Sequence, residues 1–519
     1  MSRRLRLFLL LLCAAFVPAA GAGADPYSVT NTKDSGAGSL RAAIVAANSH
    51  LGLDTIHLET SGTIELQSAL QVIFDPVSIF GPGPDQLEVR RAEAAGAGFS
   101  IFGFSTDAGP SQLNGLTVSN GRAAFGGGIR NAEGSLTLSG VTVEGNEAVA
   151  AGGTDDRAEG GGVYSDGPLA VHASLISGNV ARAGDGATQT VAAGGGIAAF
   201  DSLTLGTSTI TGNRAEASGG GGIASAQGGG LLTPDQTEID ISTISGNSVV
   251  AENGGTQTRA AGGGVTAFEA KLTSVTVTGN SATSTGGAFG ANVDAFMTTV
   301  LRNTIVSKPL GDAENCNGET VSGGYNLDED GSCEFEEGSD LVEVAAGLDP
   351  ELKDNGGFTP THALLSGSIA IDRGYSFGNF IDQRGWARPS DFPAIGNKEG
   401  GDGSDIGAFE LPVPPDSSPP PTPILVGIER GDTSSPRTRI ISGPARVGYE
   451  RKAKFRFASS EGQSSFKCKL DWKRWKKCRS PYKLSVEPGK HLFKVRAIDR
   501  FGNPDPTPAR FGWRVKPLS

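Results

Sequence analysis

Residues 126–146 read GGGIRNAEGSLTLSGVTVEGN, and this stretch decides the fold because its parts return along the chain at a fixed spacing. The glycine triplet comes back four more times, each time 34 residues after the last. It leads into a segment in which apolar and polar residues alternate, as in a half-buried β-strand, and which ends in Gly-Asn. The five triplets begin at Gly126, Gly160, Gly194, Gly228 and Gly262.

A shorter copy of the repeat defines its basic unit. The double glycine at Gly286 follows Gly262 by 24 residues, so the longer units carry about ten extra residues, which we interpret as surface loops. A 24-residue unit holds about three strands of about five residues and three corners, which predicts one coil of a right-handed parallel β-helix. Helical repeats would be richer in Leu, Lys and Glu. Stacking of the coils would bury the apolar positions Leu136, Leu138, Val141 and Val143.

The Gly-Asn endings predict a ladder in which each asparagine amide bonds to the next coil. A ligand-binding role for the same residues is the alternative. The five positions are Asn146, Asn179, Asn213, Asn247 and Asn280.

The first 24 residues have the pattern of a cleaved signal peptide: a basic start, a short apolar run and a small-residue end. No later run of about 18 apolar residues predicts a membrane span. Four of the five cysteines follow this segment and form two local pairs, Cys316 with Cys333 and Cys468 with Cys478. Such pairs predict disulfides in an oxidising compartment. A zinc site is the alternative, but neither pair has C-x-x-C spacing. We therefore expect a secreted protein.

Residues 29–58, VTNTKDSGAGSLRAAIVAANSHLGLDTIHL, contain a predicted helix with Ser39 as its N-cap, which would cover the first coil. This stretch resembles the N-terminal module named for a C-S-L-R-E-A motif, found in secreted bacterial β-helix proteins. Gly38 and Ala42 replace the Cys and Glu of that motif, which removes a thiol and leaves the backbone pattern intact.

The segments GYNLDEDGSC, DNGGFTPTHALLSGSIAIDRG, IDQRGWARP and DIGAFE, between about 303 and 411, resemble the choice-of-anchor family. The glycine repeats resemble those of the polymorphic outer-membrane proteins. The second resemblance implies adhesion.

A proline-rich stretch, LPVPPDSSPPPTP at 411–423, predicts a stiff linker before a domain of opposite charge. Residues 421–519 contain 23 Lys and Arg against 8 Asp and Glu, a net charge of +15, although the whole chain carries −12. Alternating segments such as KAKFRFAS and HLFKVRAID predict a small β-sandwich. Its sequence resembles a bacterial immunoglobulin-like repeat with a cysteine pair about ten residues apart.

A basic cluster with Trp472 and Trp475 lies around one predicted hairpin of this domain. We hypothesise that it binds an anionic polymer, such as wall teichoic acid, acidic polysaccharide or extracellular DNA. The alternative is a solvated surface that keeps the domain soluble. The cluster consists of Lys467, Lys469, Lys473, Arg474, Lys476, Lys477 and Arg479.

An acidic residue also recurs six or seven residues after each triplet begins, and the coil stacking would align these acids in a column. Calcium could bridge such a column, and solvated polar corners are the alternative. The acids are Glu133, Asp166, Asp201, Asp235 and Glu269. The segment with Asp328, Asp330 and Glu334 is reminiscent of a calcium loop but lacks the twelve-residue ligand pattern. We expect no other cofactor.

These patterns favour a non-catalytic cell-surface or adhesin-like protein. A polysaccharide lyase or glycoside hydrolase acting on acidic polysaccharides is the alternative, although the five histidines are scattered and form no Gly-His-Gly segment. The oligomeric state is not specified by the sequence. The expected divisions are a signal peptide (1–24), a capping module (25–60), β-helix repeats (61–306), terminal coils with the choice-of-anchor-like segment (307–411), a linker (412–436) and the basic immunoglobulin-like domain (437–519).

Overall fold

The structure, a computed structural model, divides into two compact units on either side of the proline-rich stretch. The predicted signal peptide and most of the predicted linker lie outside the described residues. The described residues are 26–106, 109–150, 152–186, 188–219, 221–392, 395–413, 436–460, 464–471, 475–498, 505 and 508–516.

The first unit begins with the predicted capping helix, which is confirmed and spans Leu40–Ala47. The Ser39 hydroxyl accepts a hydrogen bond from the Ala42 backbone N–H at 3.3 Å, as an N-cap does. The apolar face of the helix is buried against the strands Pro26–Val29 and Asp54–Leu58, so it covers the start of the coil stack. Within the described residues, no helix is long and apolar enough to cross a membrane.

The body of the first unit is a parallel β-helix, as predicted, built from four sheets whose strand pairs run parallel. Sheet 1 has fifteen strands, and its two strand ladders merge where long strands span both. Its strands are Pro26–Val29, Asp54–Leu58, Val77–Phe80, Phe102–Phe104, Ser111–Asn114, Ile129–Asn131, Leu136–Ser139, Val163–Ser165, Leu169–His172, Ile197–Ala199, Leu203–Gly206, Leu231–Asp240, Val265–Thr273, Val293–Arg302 and Cys316–Ser322.

Sheet 2 runs along another side of the coils and has eleven strands. They are Gly62–Leu66, Leu87–Arg91, Thr117–Ser119, Thr142–Glu144, Leu175–Ser177, Thr209–Thr211, Thr243–Ser245, Thr276–Thr278, Ile305–Ser307, Leu327–Asp328 and Leu341–Val342. The predicted interior positions of the repeat are buried between these sheets, each with at most 1% of its surface exposed: Leu136, Leu138, Val141 and Val143.

The register corrects the predicted 24-residue unit. Val265 pairs with Val293, so the counterpart of Gly262 is Gly290, 28 residues on, and not Gly286. Sheets 3 and 4 also correct the prediction that the extra residues of the long units are surface loops. These residues form stacked strands, with a separate core made almost entirely of alanine. Sheet 3 consists of Arg122–Ala123, Glu147–Val149, Val180–Gly186, Arg214–Gly219, Ser248–Glu252, Ser281–Ser284 and Leu310–Gly311. Sheet 4 consists of Asp155–Glu159, Gln189–Ala193, Ile223–Gln227, Gln257–Ala261 and Ala288–Phe289.

Asp155 and Asp156 lie among these extra residues and begin a strand of sheet 4. The Asp156 carboxylate is buried and accepts hydrogen bonds from the Gly152 and Gly184 backbone N–H groups, at 2.8 and 3.1 Å. It therefore ties sheet 4 to sheet 3.

A buried column of asparagine side chains runs through successive coils. The Asn146 amide donates to Oδ1 of Asn179 at 3.0 Å, and equivalent bonds of 2.9 Å continue through Asn213 and Asn247 to Asn280. The same oxygen also accepts the backbone N–H of the preceding asparagine in these pairs. The column continues through further polar residues to the end of the coils: Asn292, Asn315 and Asp328.

The middle glycine of each triplet lies where the coils approach most closely. A Cβ atom on Gly195 would lie 2.5 Å from backbone atoms of both Arg214 and Gly229. The five middle glycines all show a contact this short, so the triplet is required by space: Gly127, Gly161, Gly195, Gly229 and Gly263.

After the coils, a segment without long strands returns along sheet 2 and docks on its threonine-rich face. The Gln383 side chain bonds to the hydroxyls of Thr243 at 2.6 Å and Thr209 at 2.7 Å. His362 bonds to Ser245 at 2.7 Å. These contacts join residues more than 100 positions apart and make the segment an integral part of the first unit.

Buried carboxylates in this segment predict a pH-dependent stability. Burial, reinforced by the neighbouring Glu410, raises the pKa of Asp405 to about 8, whereas an unfolded chain would have its pKa near about 3.9. The folded state therefore binds more protons between these values, so stability falls as pH rises toward about 8 and levels off above about 9. We expect the thermal midpoint of the first unit to fall between about pH 6.5 and about pH 8, as measured by circular dichroism.

The Asp405→Asn variant is the matched control for this prediction. Its carboxamide does not titrate, so its midpoint should depend less on pH over that window, even if it is lower throughout because one backbone N–H bond to Asp405 is lost. A wild-type midpoint that rises over the window would contradict the prediction.

The second unit is a separate β-domain of two sheets that share an aromatic core, with antiparallel pairing except at one short edge strand. The Phe455 and Phe493 rings stack at its centre with centroids 4.0 Å apart. Sheet 5 consists of Thr438–Ser442, Lys452–Ser459 and Tyr482–Ser485. Sheet 6 follows the order Val447–Gly448, Ala509–Val515, Gly489–Ile498, Ser465–Leu470 and Lys476–Cys478.

Candidate functional site

The outer face of sheet 6 carries a dense group of cations because its strands alternate between core and solvent. In Gly489–Ile498, for example, Phe493 and Val495 are buried in the core, so Lys494 and Arg496 point outward. Residues directly opposite in an antiparallel pair point to the same side. Two rows of three cations result, which we call the basic face: Lys477, Lys467 and Arg496 in one row, and Lys469, Lys494 and Arg510 in the other.

The basic face concentrates positive charge in a small area. Each row crosses three neighbouring strands about 4.8 Å apart, and the two rows lie two residues, or about 7 Å, from each other. The rows are offset by one strand, so the face involves four strands. The ion pairs among the described residues of this unit are Arg451–Glu487 and His491–Asp471, and neither uses a residue of the basic face. Among the described residues, the six cations of the basic face therefore have no carboxylate partner.

One cation of the basic face is held in place by an aromatic ring. The Arg496 guanidinium lies 4.8 Å from the ring centroid of Trp475, and its Nε has no hydrogen-bond partner within the described residues. Stacking on a ring orients the planar guanidinium and leaves its remaining N–H groups available to an anion.

Of the predicted basic cluster, Lys467, Lys469 and Lys477 belong to the basic face. Lys476 is exposed, but it lies opposite Cys468 and so points to the other side of the sheet from Lys477. Arg479 follows the end of this strand. Lys473 and Arg474, with Trp472, lie outside the described residues. The other half of the face was not predicted, although the alternation of cations in two later strands is a signal for it: Lys494, Arg496 and Arg510.

Both predicted cysteine pairs are disulfides, and each has a clear structural position. Cys468–Cys478 joins two strands of sheet 6 beneath the basic face, with Cα atoms 5.8 Å apart. Cys316–Cys333 lies at the end of the β-helix, with Cα atoms 4.9 Å apart. The Cys468–Cys478 disulfide therefore fixes the strand that carries Lys467 to the strand that carries Lys477.

The outer side of sheet 5 is also basic and provides an internal comparison. Lys452, Lys454 and Arg456 alternate with buried residues along one strand and are exposed. Lys483 lies opposite Lys454 in the neighbouring strand. This side has one such row of cations along a strand, whereas the basic face has two rows that each cross three strands and together involve four.

The predicted acidic column does not form one aligned ladder. Glu269 pairs in register with Gln236 rather than with Asp235, because the long strands are irregular at this point. Asp166 bonds to the Tyr164 hydroxyl at 2.8 Å, and Asp201 caps its own turn by accepting from the Ser202 N–H. Four of the five acids are exposed and Asp201 is partly exposed: Glu133, Asp166, Asp201, Asp235 and Glu269.

In the calcium-loop-like segment, two carboxylates accept hydrogen bonds from within the protein. The Asp328 carboxylate accepts from the Cys333 backbone N–H and the Asn315 amide at 2.8 and 2.9 Å, and burial raises its pKa to about 6. Asp330 accepts from the Ser332 hydroxyl and N–H, while Glu334 is exposed. Among the described residues, no group of three or more potential ligands is arranged to hold a metal ion.

Comparisons with known proteins provide little beyond this architecture. No family model matches the chain, and no curated protein matches it. Among solved structures, it is similar to the A-module of the mannuronan C-5 epimerase AlgE6 from Azotobacter vinelandii, at 14% identity and a TM-score of 0.25, over 58% of this chain and 98% of that module. A likeness this weak carries no functional argument. The strand pairing itself defines the class: a parallel β-helix protein followed by a separate β-domain.

Proposed function

We propose that this chain is a secreted, non-catalytic, cell-surface or adhesin-like protein whose C-terminal domain binds anionic polymers through the basic face. The observation that carries the proposal is the two rows of three cations without a carboxylate partner among the described residues. Two disulfides in the described chain are consistent with an oxidising, extracellular environment.

The arrangement of the charges argues against a role in solubility alone. Like charges directly opposite one another destabilise a sheet, and a surface that only needs to be soluble does well with both signs interspersed. Lys467 lies between Lys477 and Arg496 across neighbouring strands. A domain that places cations in this way gives up stability, and a polyanion that neutralises them would restore it.

An anionic polymer suits the basic face better than a single small anion. Regularly spaced negative groups can engage several cations at once and release their condensed counterions, which makes the affinity strongly dependent on salt. Teichoic acid, acidic polysaccharide and DNA share this chemistry. In this proposal the β-helix supports and displays the binding domain.

A charge-reversal variant tests the basic face. Lys467→Glu, Lys494→Glu and Arg510→Glu together should weaken heparin binding by about a hundredfold, because three cations are replaced by charges that repel the ligand. The variant should elute from a heparin column at or below physiological salt, and its thermal midpoint should not fall. Elution salt on heparin and the midpoint by circular dichroism are the measurements.

The control variant carries the same change of charge on the other sheet. Lys452→Glu, Lys454→Glu and Arg456→Glu alter three exposed cations of sheet 5, so binding should weaken much less. Equal losses in the two variants would mean that only net charge matters, and a wild-type chain that elutes below physiological salt would refute binding.

The alternative, a lyase or hydrolase of acidic polysaccharides, is tested by turnover. The assay uses polygalacturonate and alginate at several calcium concentrations. Release of unsaturated or reducing uronates by the full chain would favour this alternative over a non-catalytic role.

A further inference from the structure

A second candidate site lies on the β-helix, in a groove that the extra residues of the long coils create. The groove runs between the outward face of sheet 4 and the adjoining side of sheet 1, and it has a volume of about 490 Å³. It is independent of the basic face because it is built entirely from residues of the first unit.

Side chains at equivalent positions in successive coils form one wall of the groove. The strands of sheet 4 pair in register, so that Arg157, Val191, Ser225 and Arg259 follow one another from coil to coil. A parallel column contains Gln189, Ile223 and Gln257. Because the coils repeat at about 4.8 Å, this wall presents polar and apolar groups at regular steps along the coil axis.

The opposite wall and the floor between are largely apolar. Val191 and Ala193 of sheet 4 pack against Leu232 and Phe200 of sheet 1, and together they make an apolar centre. Phe296, about half exposed, lines the groove further along.

Each end of the groove carries an arginine that is neutralised by a buried carboxylate. Arg157 bonds to Glu159 at 2.9 Å, and Arg259 bonds to Asp294 at 3.2 Å. The two arginines are three coil steps apart, about 14 Å along the axis. The groove therefore offers directional N–H donors with little net charge.

Aromatic rings continue the apolar surface at both ends. Phe125 and Tyr164 have centroids 5.3 Å apart, and Tyr164 and Phe200 are 5.4 Å apart. At the other end, the Arg259 guanidinium lies 5.1 and 5.2 Å from the ring centroids of two phenylalanines, Phe289 and Phe296.

The backbone of the walls is not available to a ligand. The strands cross the groove, and their N–H and C=O groups bond along the axis to neighbouring coils. A peptide could therefore not bind there by adding a strand. Recognition has to come from side chains: ring faces, amides, a serine hydroxyl and paired guanidinium groups.

We propose that this groove binds a neutral, linear polysaccharide lying along the coil axis. Sugar rings have apolar C–H faces that pack on aromatic and aliphatic side chains, and hydroxyl edges that bond to Gln, Ser and Arg. A polymer of repeated units suits a wall whose side-chain positions recur at every coil, and paired charges suit a ligand without charge. The partner thus differs from the polyanion assigned to the basic face.

Affinity electrophoresis of the full chain tests this proposal. The chain carries a net charge of −12 and migrates toward the anode in a native gel, and the gels contain laminarin, hydroxyethyl cellulose or galactomannan. We expect at least one of the three to retard the protein at both low and high salt. Phe296→Ala and Gln257→Ala should each raise the apparent Kd by about tenfold. The first variant loses the packing of a sugar ring on an aromatic ring, and the second loses the hydrogen bonds of a side-chain amide to sugar hydroxyls.

The matched control is Phe74→Ala. Phe74 is 56% exposed and Phe296 is 50% exposed, but Phe74 does not line the groove, so this substitution should leave retardation unchanged. Because Phe296 and Gln257 are both solvent-exposed, their variants should keep the wild-type thermal midpoint.

Three results would overturn the proposal. The first is no retardation by any of the three polysaccharides. The second is retardation that Phe296→Ala and Gln257→Ala leave unchanged. The third is retardation that disappears at high salt or with the charge-reversal variant of the basic face, which would assign the binding to the C-terminal domain.

Discussion

Asn213→Ala is expected to lower the stability of the β-helix by about 2 to about 5 kcal/mol. The Asn213 amide donates to the Ile176 carbonyl and to the Asn247 side chain, both at 2.9 Å. Its oxygen accepts both the backbone N–H and the side-chain amide of Asn179. Alanine therefore leaves buried polar groups in two coils without partners, and each costs about 1 to 3 kcal/mol.

The measurement is the denaturant midpoint of the first unit, followed by circular dichroism. Thr204→Ala is the control, because Thr204 lies in a neighbouring strand of the same coil but faces solvent, and it should change stability by less than about 0.5 kcal/mol. An Asn213→Ala variant as stable as this control would show that the asparagine column is dispensable.

Gly195→Ala should have an effect at least as large, for a steric reason. The added Cβ would lie 2.5 Å from the backbone of Arg214 in its own coil and of Gly229 in the next. Backbone held by ladders on both sides cannot move away without breaking hydrogen bonds, so we expect a loss of about 3 kcal/mol or more. Reduced soluble yield and a lower midpoint are the readouts.

Gly178→Ala separates this crowding from ordinary glycine strain. Gly178 has a φ of +60°, but a Cβ there would meet no atom within 4 Å. The cost should therefore be only the left-handed backbone strain, about 1 to 2 kcal/mol. If Gly178→Ala proved as damaging as Gly195→Ala, the close approach of the coils would not be what requires the triplets.

The coil was predictable because its signals are local and repeated. The alternation around Leu136 and Leu138 fixes which side chains face inward. The recurrence of the triplets marks where the long coils begin, and Ser39 marks the start of the capping helix. Each of these signals can be read from the sequence without knowing which strands pair.

The ridge formed by sheets 3 and 4 was missed because its residues are poor strand formers in isolation. Alanine and glycine are depleted in strands, so AVAAGGTDDRAE was interpreted as a loop. Stacking changes this, because each small side chain lies against its counterpart in the next coil, as Ala158 does against Ala192. Cooperation between coils, rather than propensity, makes the strand.

The candidate sites depend on register, which spacing along the sequence does not give. Counting from the triplets suggested that Asp235 aligns with Glu269, but an irregularity in the strand places Gln236 there. The basic face likewise joins Lys467 to Arg496, 29 positions away, through strand pairing. The groove requires sheet 4, so it could not be predicted while those residues were taken as loops.

The alanine core has a consequence for how such a chain can change over generations. Each long unit adds one strand to sheet 3 and one to sheet 4, and it packs on its neighbours through nearly identical alanine contacts. Gain or loss of a whole 34-residue unit would therefore change the length of these sheets but not the cross-section of the coil. The number of long units thus sets the length of ligand that the groove can accommodate, while the packing between neighbouring units is unchanged.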